Sequence, residues 1–124
     1  MISKESLEQK LLNSVVDLRF VRRIPVPGRP ATRRMLCTKS SSLLNSTNGR
    51  MSLNYRPPMS GKRFNETTEN AVIVWDIFMQ DFRVVSLEGA MILNEIPAND
   101  EFWQYYNKAL LPMTAEQKLQ FMNS

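Results

Sequence analysis

Histidine is absent from this chain, cysteine occurs once, and no acidic residue lies between Leu18 and Asn65. Each absence excludes some chemistry. Without histidine there is no Ser–His or Cys–His nucleophile pair, and a single thiol, Cys37, completes neither a tetrahedral zinc shell nor an internal disulfide. No phosphate-binding glycine motif is present either, so the sequence reads as non-enzymatic, with no cofactor and no metal. Hydrophobic runs are short. Nothing approaches the roughly 18 consecutive apolar residues of a transmembrane helix, and Met1-Ile2-Ser3-Lys4-Glu5 is too polar and charged for a secretory signal. The expectation is a cytoplasmic protein that does not engage membranes, in keeping with its lone cysteine.

In place of the missing carboxylates stand eleven basic residues: Arg19, Arg22, Arg23, Arg29, Arg33, Arg34, Lys39, Arg50, Arg56, Lys62 and Arg63. Elsewhere there are five basic and all twelve acidic residues, so the two parts carry about +11 and −7 beneath a formal net charge of +4. Nine of the eleven are arginines, which favours planar, bidentate contacts with phosphate or carboxylate. The implied partner is anionic, either a nucleic acid (DNA or RNA) or an acidic face of another protein.

The candidate contacts are Arg22, Arg23, Arg29, Arg33 and Arg34 around one hairpin, and Arg50, Arg56, Lys62 and Arg63 around the next loop. The plain alternative is a solvated strand face with charged turns. Arg19 has a further option, pairing with Asp17 or a neighbouring strand. Tyr55 and Phe64 lie in the same stretch, where a ring stacking on a base is worth about 1–3 kcal/mol. For Tyr55 the competing reading is core packing alongside Met51 and Leu53.

A chain of 124 residues, 43% hydrophobic, supports one compact domain with appendages. Leu7 and Leu11 predict a helix over Ser3–Leu12, capped by Ser3 or Ser6. From Val15 the period changes to two, with Val16, Leu18 and Phe20 on one face of a half-buried strand. Pro25, Pro27, Gly28 and Pro30 make Ile24–Ala31 an exposed hairpin connection, and Thr32–Thr38 the return strand. Lys39–Gly49 reads as a loop, Arg50–Arg56 as a strand, and Met59–Asn70 as a loop. Ala71–Asp76, Phe82–Leu87 and Ala90–Leu93 read as a three-stranded antiparallel meander. Asp76 and Asp81 flank its first turn and suit turn capping. After Pro97, Asn99 or Asp100 caps a helix over Glu101–Leu111, and Thr114 with Gln117 opens a terminal helix through a capping box.

This order suits a mainly β (α+β) fold: a small Sm-like antiparallel barrel with an N-terminal helix and two C-terminal helices. The division is residues 1–97 for the barrel, with its helix and basic hairpin and loop insertions, and residues 98–124 for the helical extension. Val15-Val16-Asp17-Leu18-Arg19-Phe20, Met35-Leu36-Cys37-Thr38, and Val74-Trp75-Asp76 followed by Phe82-Arg83 resemble the Sm-like barrels of the WYL_2 type, small proteins found mainly in tailed bacteriophages. Phe82 stands where that pattern usually has Trp, and the proline hairpin, the insertion around Asn45–Phe64 and the C-terminal helices have no counterpart in it.

The resemblance implies a barrel with nucleic-acid or regulatory work in the host cytoplasm, and supplies no catalytic residue. Two functions remain open. One is an accessory protein binding nucleic acid through the arginine-rich hairpin and loop. The other is a host-takeover or anti-defence protein that grips an acidic surface of a host protein and modulates its activity. Phe102, Trp103 and Tyr106 are too aromatic for a solvated appendage. Either they pack on the chain's own barrel, or they form an interface with a partner or a second copy.

Overall fold

The computed structural model describes residues 2–57 and 70–124. Helix α1 (Lys4–Asn13) is capped by Ser3, whose hydroxyl accepts from the Ser6 N–H at 3.1 Å, and it buries Leu7 and Leu11 on one face. Strands β1 (Ser14–Val21) and β2 (Thr32–Thr38) pair antiparallel from Val16↔Cys37 to Val21↔Thr32, with the proline-rich connection between them. Val16, Leu18 and Phe20 share one face, as their alternation predicts. The opposite face of β1 is not solvated along its inner half: Val15 and Asp17 are buried as well, and so is Leu36 between Met35 and Cys37 of β2.

Three more strands complete a single five-stranded sheet, β3 (Ala71–Asp76), β4 (Asp81–Ser86) and β5 (Met91–Pro97), in the order β4-β3-β2-β1-β5. The expected meander is corrected here. β3 and β4 form a hairpin along their whole length, but β5 crosses to the other edge and pairs with β1. Curvature makes this possible. β4 and β5 stand at opposite edges, yet only Leu87–Ala90 join them, in a tight turn closed by the Ala90 N–H donating to Leu87 O at 3.0 Å. The sheet must therefore curl until its edges approach one another at this corner.

Gly89 sits in the corner with φ +69°, and a Cβ there would lie 2.9 Å from Cγ2 of Val21. A bulge in β5, where Asp17↔Asn94 gives way to Leu18↔Ile92, adds local twist. A closed five-stranded barrel needs five seams. Four carry ladders, and the β4–β5 seam carries none among the described residues.

The sheet buries both faces. Inside the curl, capped by α1, lie Leu7, Leu11, Leu18, Phe20, Met35, Val74 and Val85. Against the outer face pack Leu36, Leu43, Leu53, Tyr55, Trp75, Phe102 and Leu110. This second core depends on segments that the sequence reading misplaced. Lys39–Gly49 is not a plain loop and Arg50–Arg56 is not a strand, because α2 (Ser41–Leu44) and α3 (Thr47–Ser52) occupy this stretch. Ser40 and Ser46 accept from the Leu43 and Gly49 N–H groups at 3.3 and 3.0 Å; the residues that suggested a loop are acting as helix caps. The alternation at Met51, Leu53 and Tyr55 is accidental, since Met51 is 77% exposed. Gly49 is required by packing, because a Cβ would meet Leu43 O at 2.2 Å.

After β5, α4 (Asp100–Tyr105) is capped by Asn99 and continues as a π-helical turn, Tyr106–Leu110; α5 (Ala115–Met122) begins at the Thr114–Gln117 capping box. The wide turn lets Leu110 join Phe102 and Tyr106 on the side facing the sheet. Phe102 is fully buried, and Trp103 and Tyr106 are half-buried beside it, so these aromatics pack on the chain's own sheet. Helical segments cover at least as many described residues as strands, which corrects the mainly β expectation to mixed α+β. No helix among the described residues is long and apolar enough to cross a membrane.

Two predictions follow from this packing. Phe102→Ala should cost about 3–5 kcal/mol, read by urea unfolding, because a fully buried ring is lost from the outer core. A loss below about 1 kcal/mol would mean that the helices do not clamp the sheet. Burial, then the Asp76 and Asp17 carboxylates, push the Cys37 thiol well above its ordinary pKa. Its stabilisation is therefore complete below the unfolded thiol's pKa and is lost as pH rises toward the folded value. Ellman's reagent at mildly alkaline pH should label Cys37 only at the rate of unfolding, and rapid labelling of the native protein would contradict this burial.

Candidate nucleic-acid interface

Cross-strand register decides which arginines meet. Phe20 faces Arg33 across β1 and β2, and Leu18 faces Met35, so Arg33 and Met35 continue the inward-facing row. Val74 faces Arg83 across β3 and β4, which places Arg83 on the same inner surface. β2 runs on past its short ladder with β3, and the mouth of the curl opens there. An open groove of about 480 Å³ occupies it, lined by Phe20, Arg22, Arg23, Arg33, Met35 and Arg83, with Ile24 and Val84 at the rim. Four guanidinium groups above an apolar floor can hold an anion that also carries a flat or apolar part. A second depression of about 500 Å³, between the C-terminal helices and β2, has Arg34 as its sole charged lining residue.

The arginines differ in how committed they already are. Arg34 makes a two-point contact with Asp17, Nε–Oδ1 at 2.8 Å and Nη2–Oδ2 at 2.6 Å, and its guanidinium lies 4.0 Å from the Phe121 ring centroid. The Asp17 hydrogen bond raises the pKa of Arg34 despite partial burial. Arg33 donates to Asp76 Oδ2 at 2.5 Å, and the other Asp76 oxygen accepts from the Phe78 and Met79 N–H groups at 3.0 and 3.1 Å. Asp76 thus caps the turn as its position predicted, and holds Arg33 as well.

Arg22 donates to Pro30 O and to Asn123 Oδ1. Desolvation, then the like charges of Arg33 and Arg29, lower its pKa. Arg83 donates to Asp81 Oδ2 at 3.1 Å and to Phe82 O at 2.9 Å. That hydrogen bond, followed by the Phe82 N–H, holds the exposed Asp81 carboxyl below its usual range. Arg23 and Arg29 are exposed, and their guanidinium groups make no hydrogen bond or ion pair among the described residues.

The structure therefore brings together Arg22, Arg23 and Arg33 of the sequence candidates, with Arg29 on the adjoining connection, and leaves others apart. Arg34 points to the outer face. Arg50 folds back onto Asn45, and Arg56 is exposed beyond α3. Lys62, Arg63 and Phe64 lie outside the described residues. Tyr55 is buried, its ring edge-on to Trp75 at 5.1 Å and to Phe82 at 6.1 Å, and burial raises its phenol pKa. Arg19 finds Asp17 already taken by Arg34. Sequence reasoning missed Arg83, which lies outside the basic run and joins the mouth only through the β3–β4 register. It also missed Asp76 as the partner of Arg33, and offered Asp17 to Arg19 where the structure pairs it with Arg34.

Arg34→Ala should destabilise the protein by about 3 kcal/mol, because it strands the buried Asp17 carboxylate. Arg29→Ala should change stability by no more than about 0.5 kcal/mol. Equal urea midpoints for the two variants would show that the Arg34–Asp17 pair is not structural. Comparison with family models, with curated proteins and with solved structures finds no match for this chain.

Proposed function

We propose that this chain is a non-enzymatic, phage-type accessory or regulatory protein of the host cytoplasm, with a curled sheet of the Sm-like barrel type, that binds nucleic acid at its arginine-lined mouth. The observation that carries this reading is the convergence of Arg22, Arg23, Arg33 and Arg83 over Phe20 and Met35, with the uncommitted Arg29 on the neighbouring connection. Phosphates would take the guanidinium groups and a base would lie on the apolar floor, a combination that single strands satisfy more readily than a stacked duplex. The order of strands and the approach of β4 to β5 support the barrel assignment.

A second reading has its own observation. Ile24 is 78% exposed and Val26 40% exposed on the same connection, and apolar residues beside arginines suit an acidic protein surface better than a phosphate backbone. Phe102, Trp103 and Tyr106 lend no support to self-association, since they pack on the chain's own outer core.

Titration of labelled oligonucleotides across a range of salt tests the proposal. With roughly five arginines on phosphate, log affinity should fall against log salt with a slope between about −3 and −5. Arg23→Ser with Arg29→Ser should weaken binding and make the slope shallower by about 2, with unchanged melting. Absence of binding, or a slope near zero, would reject the nucleic-acid reading. Stoichiometric recovery of one acidic protein from nuclease-treated lysate would then favour the second.

A further inference from the structure

The last turn of α5 and the residues just after it lie on two of the arginines that frame the mouth, Arg22 and Arg33, and on Arg34 of the outer face. Arg22 Nη2 donates to Asn123 Oδ1 at 2.9 Å, Arg33 Nη2 to Met122 Sδ at 3.5 Å, and Arg34 Nη1 to Ser124 Oγ at 3.4 Å, while the Arg34 guanidinium covers the Phe121 ring. Four consecutive residues thus engage three arginines. The groups that make these four contacts are neutral: an amide oxygen, a thioether, a hydroxyl and a ring face. A phosphate oxygen adds direct charge attraction to the hydrogen bond from a guanidinium, which a neutral acceptor does not, so an anion would compete for these contacts.

The helix is also lightly held. α5 contains no buried residue, and its other aromatic contacts are Phe121 edge-on to Phe78 at 5.0 Å and Lys118 Nζ 5.8 Å from the Phe78 ring. Its N-terminal capping box supports the first turn, but a helix of eight residues released from the sheet is only marginally stable in water.

The geometry points to an autoinhibitory strap: the C-terminal turn of α5 competes with the anionic ligand for Arg22 and Arg33, so that ligand binding and docking of α5 oppose one another. This rests on the reading of the mouth as an anion site. An anion entering the groove draws Arg22 away from Asn123 and Arg33 away from Met122. Arg34 stays with Asp17 and acts as the hinge contact through Phe121. Linkage requires the converse: whatever loosens the strap tightens the ligand.

The test compares the full-length protein with a Met122→Ala/Asn123→Ala variant, using fluorescein-labelled oligothymidylate and hydrogen exchange at the α5 amides. The variant should bind about fivefold or more tightly, within the range of ordinary coupling between sites. Oligothymidylate should accelerate exchange at 119–124 in the unaltered protein. Equal or weaker binding by the variant, with α5 exchange unchanged by ligand, overturns the strap and leaves the nucleic-acid reading standing. If neither protein binds the oligonucleotide, the nucleic-acid reading falls and inorganic tripolyphosphate decides the strap. Faster α5 exchange on its addition supports the competition, and unchanged exchange overturns it.

Discussion

The carboxylate of Asp76 is 1% exposed, and the structure around it supplies partners to both of its oxygens. A buried charge is tolerated only when paired and hydrogen-bonded on its remaining lone pairs. Arg33 supplies the charge from β2, and the Phe78 and Met79 N–H groups supply the hydrogen bonds from the turn that sends β3 into β4. One side chain thereby fixes where the short β2–β3 ladder stops, where β4 departs, and where Arg33 stands at the mouth. The second pair, Arg34 with Asp17, does the same work on the outer face of β1 and β2. Adjacent arginines on one strand point to opposite faces, and each finds its carboxylate there.

Two-sided burial is the other constraint. A curled sheet closes its inner face on itself with the help of α1, and its outer face must then be covered by something else. The chain covers it with the α2–α3 segment and with α4 and α5. Trp75 Nε1 donates to Leu53 O, and the Tyr106 hydroxyl donates to Ser52 O, tying those two covers to β3 and to each other. The basic residues within these segments inherit positions set by apolar packing. Arg50 and Arg56 travel with Leu53 and Tyr55 to the outer side, so the long basic run in the sequence is not one continuous surface in the fold.

Function then turns on which cations remain available. An arginine already bonded to a buried carboxylate orders the site and screens its own charge, whereas Arg23 and Arg29 offer theirs to solvent. The mouth combines both kinds around an aromatic floor. Burial, then the like charges of Arg33 and Arg29, lower the pKa of Arg22. The end of α5 lies beside the same mouth, with Asn123 on Arg22 and Met122 on Arg33.

The sequence by itself determined the elements whose signals are local. Ser3, Asn99 and the Thr114–Gln117 box mark their helices, the Val16-Leu18-Phe20 alternation marks β1, and the proline cluster marks the hairpin connection, because caps, periods and fixed dihedrals act over a few residues. It also determined the excess of positive charge. Only the tertiary structure decided the rest. Ser40 and Ser46 cap helices rather than decorate a loop because Leu43, Leu44 and Leu53 have an outer face to bury against. β5 pairs with β1 rather than β4 because the sheet curls. Arg83 joins Arg22, Arg23 and Arg33, and Arg34 leaves them, because cross-strand register assigns each side chain to a face, and register depends on partners far away in the chain.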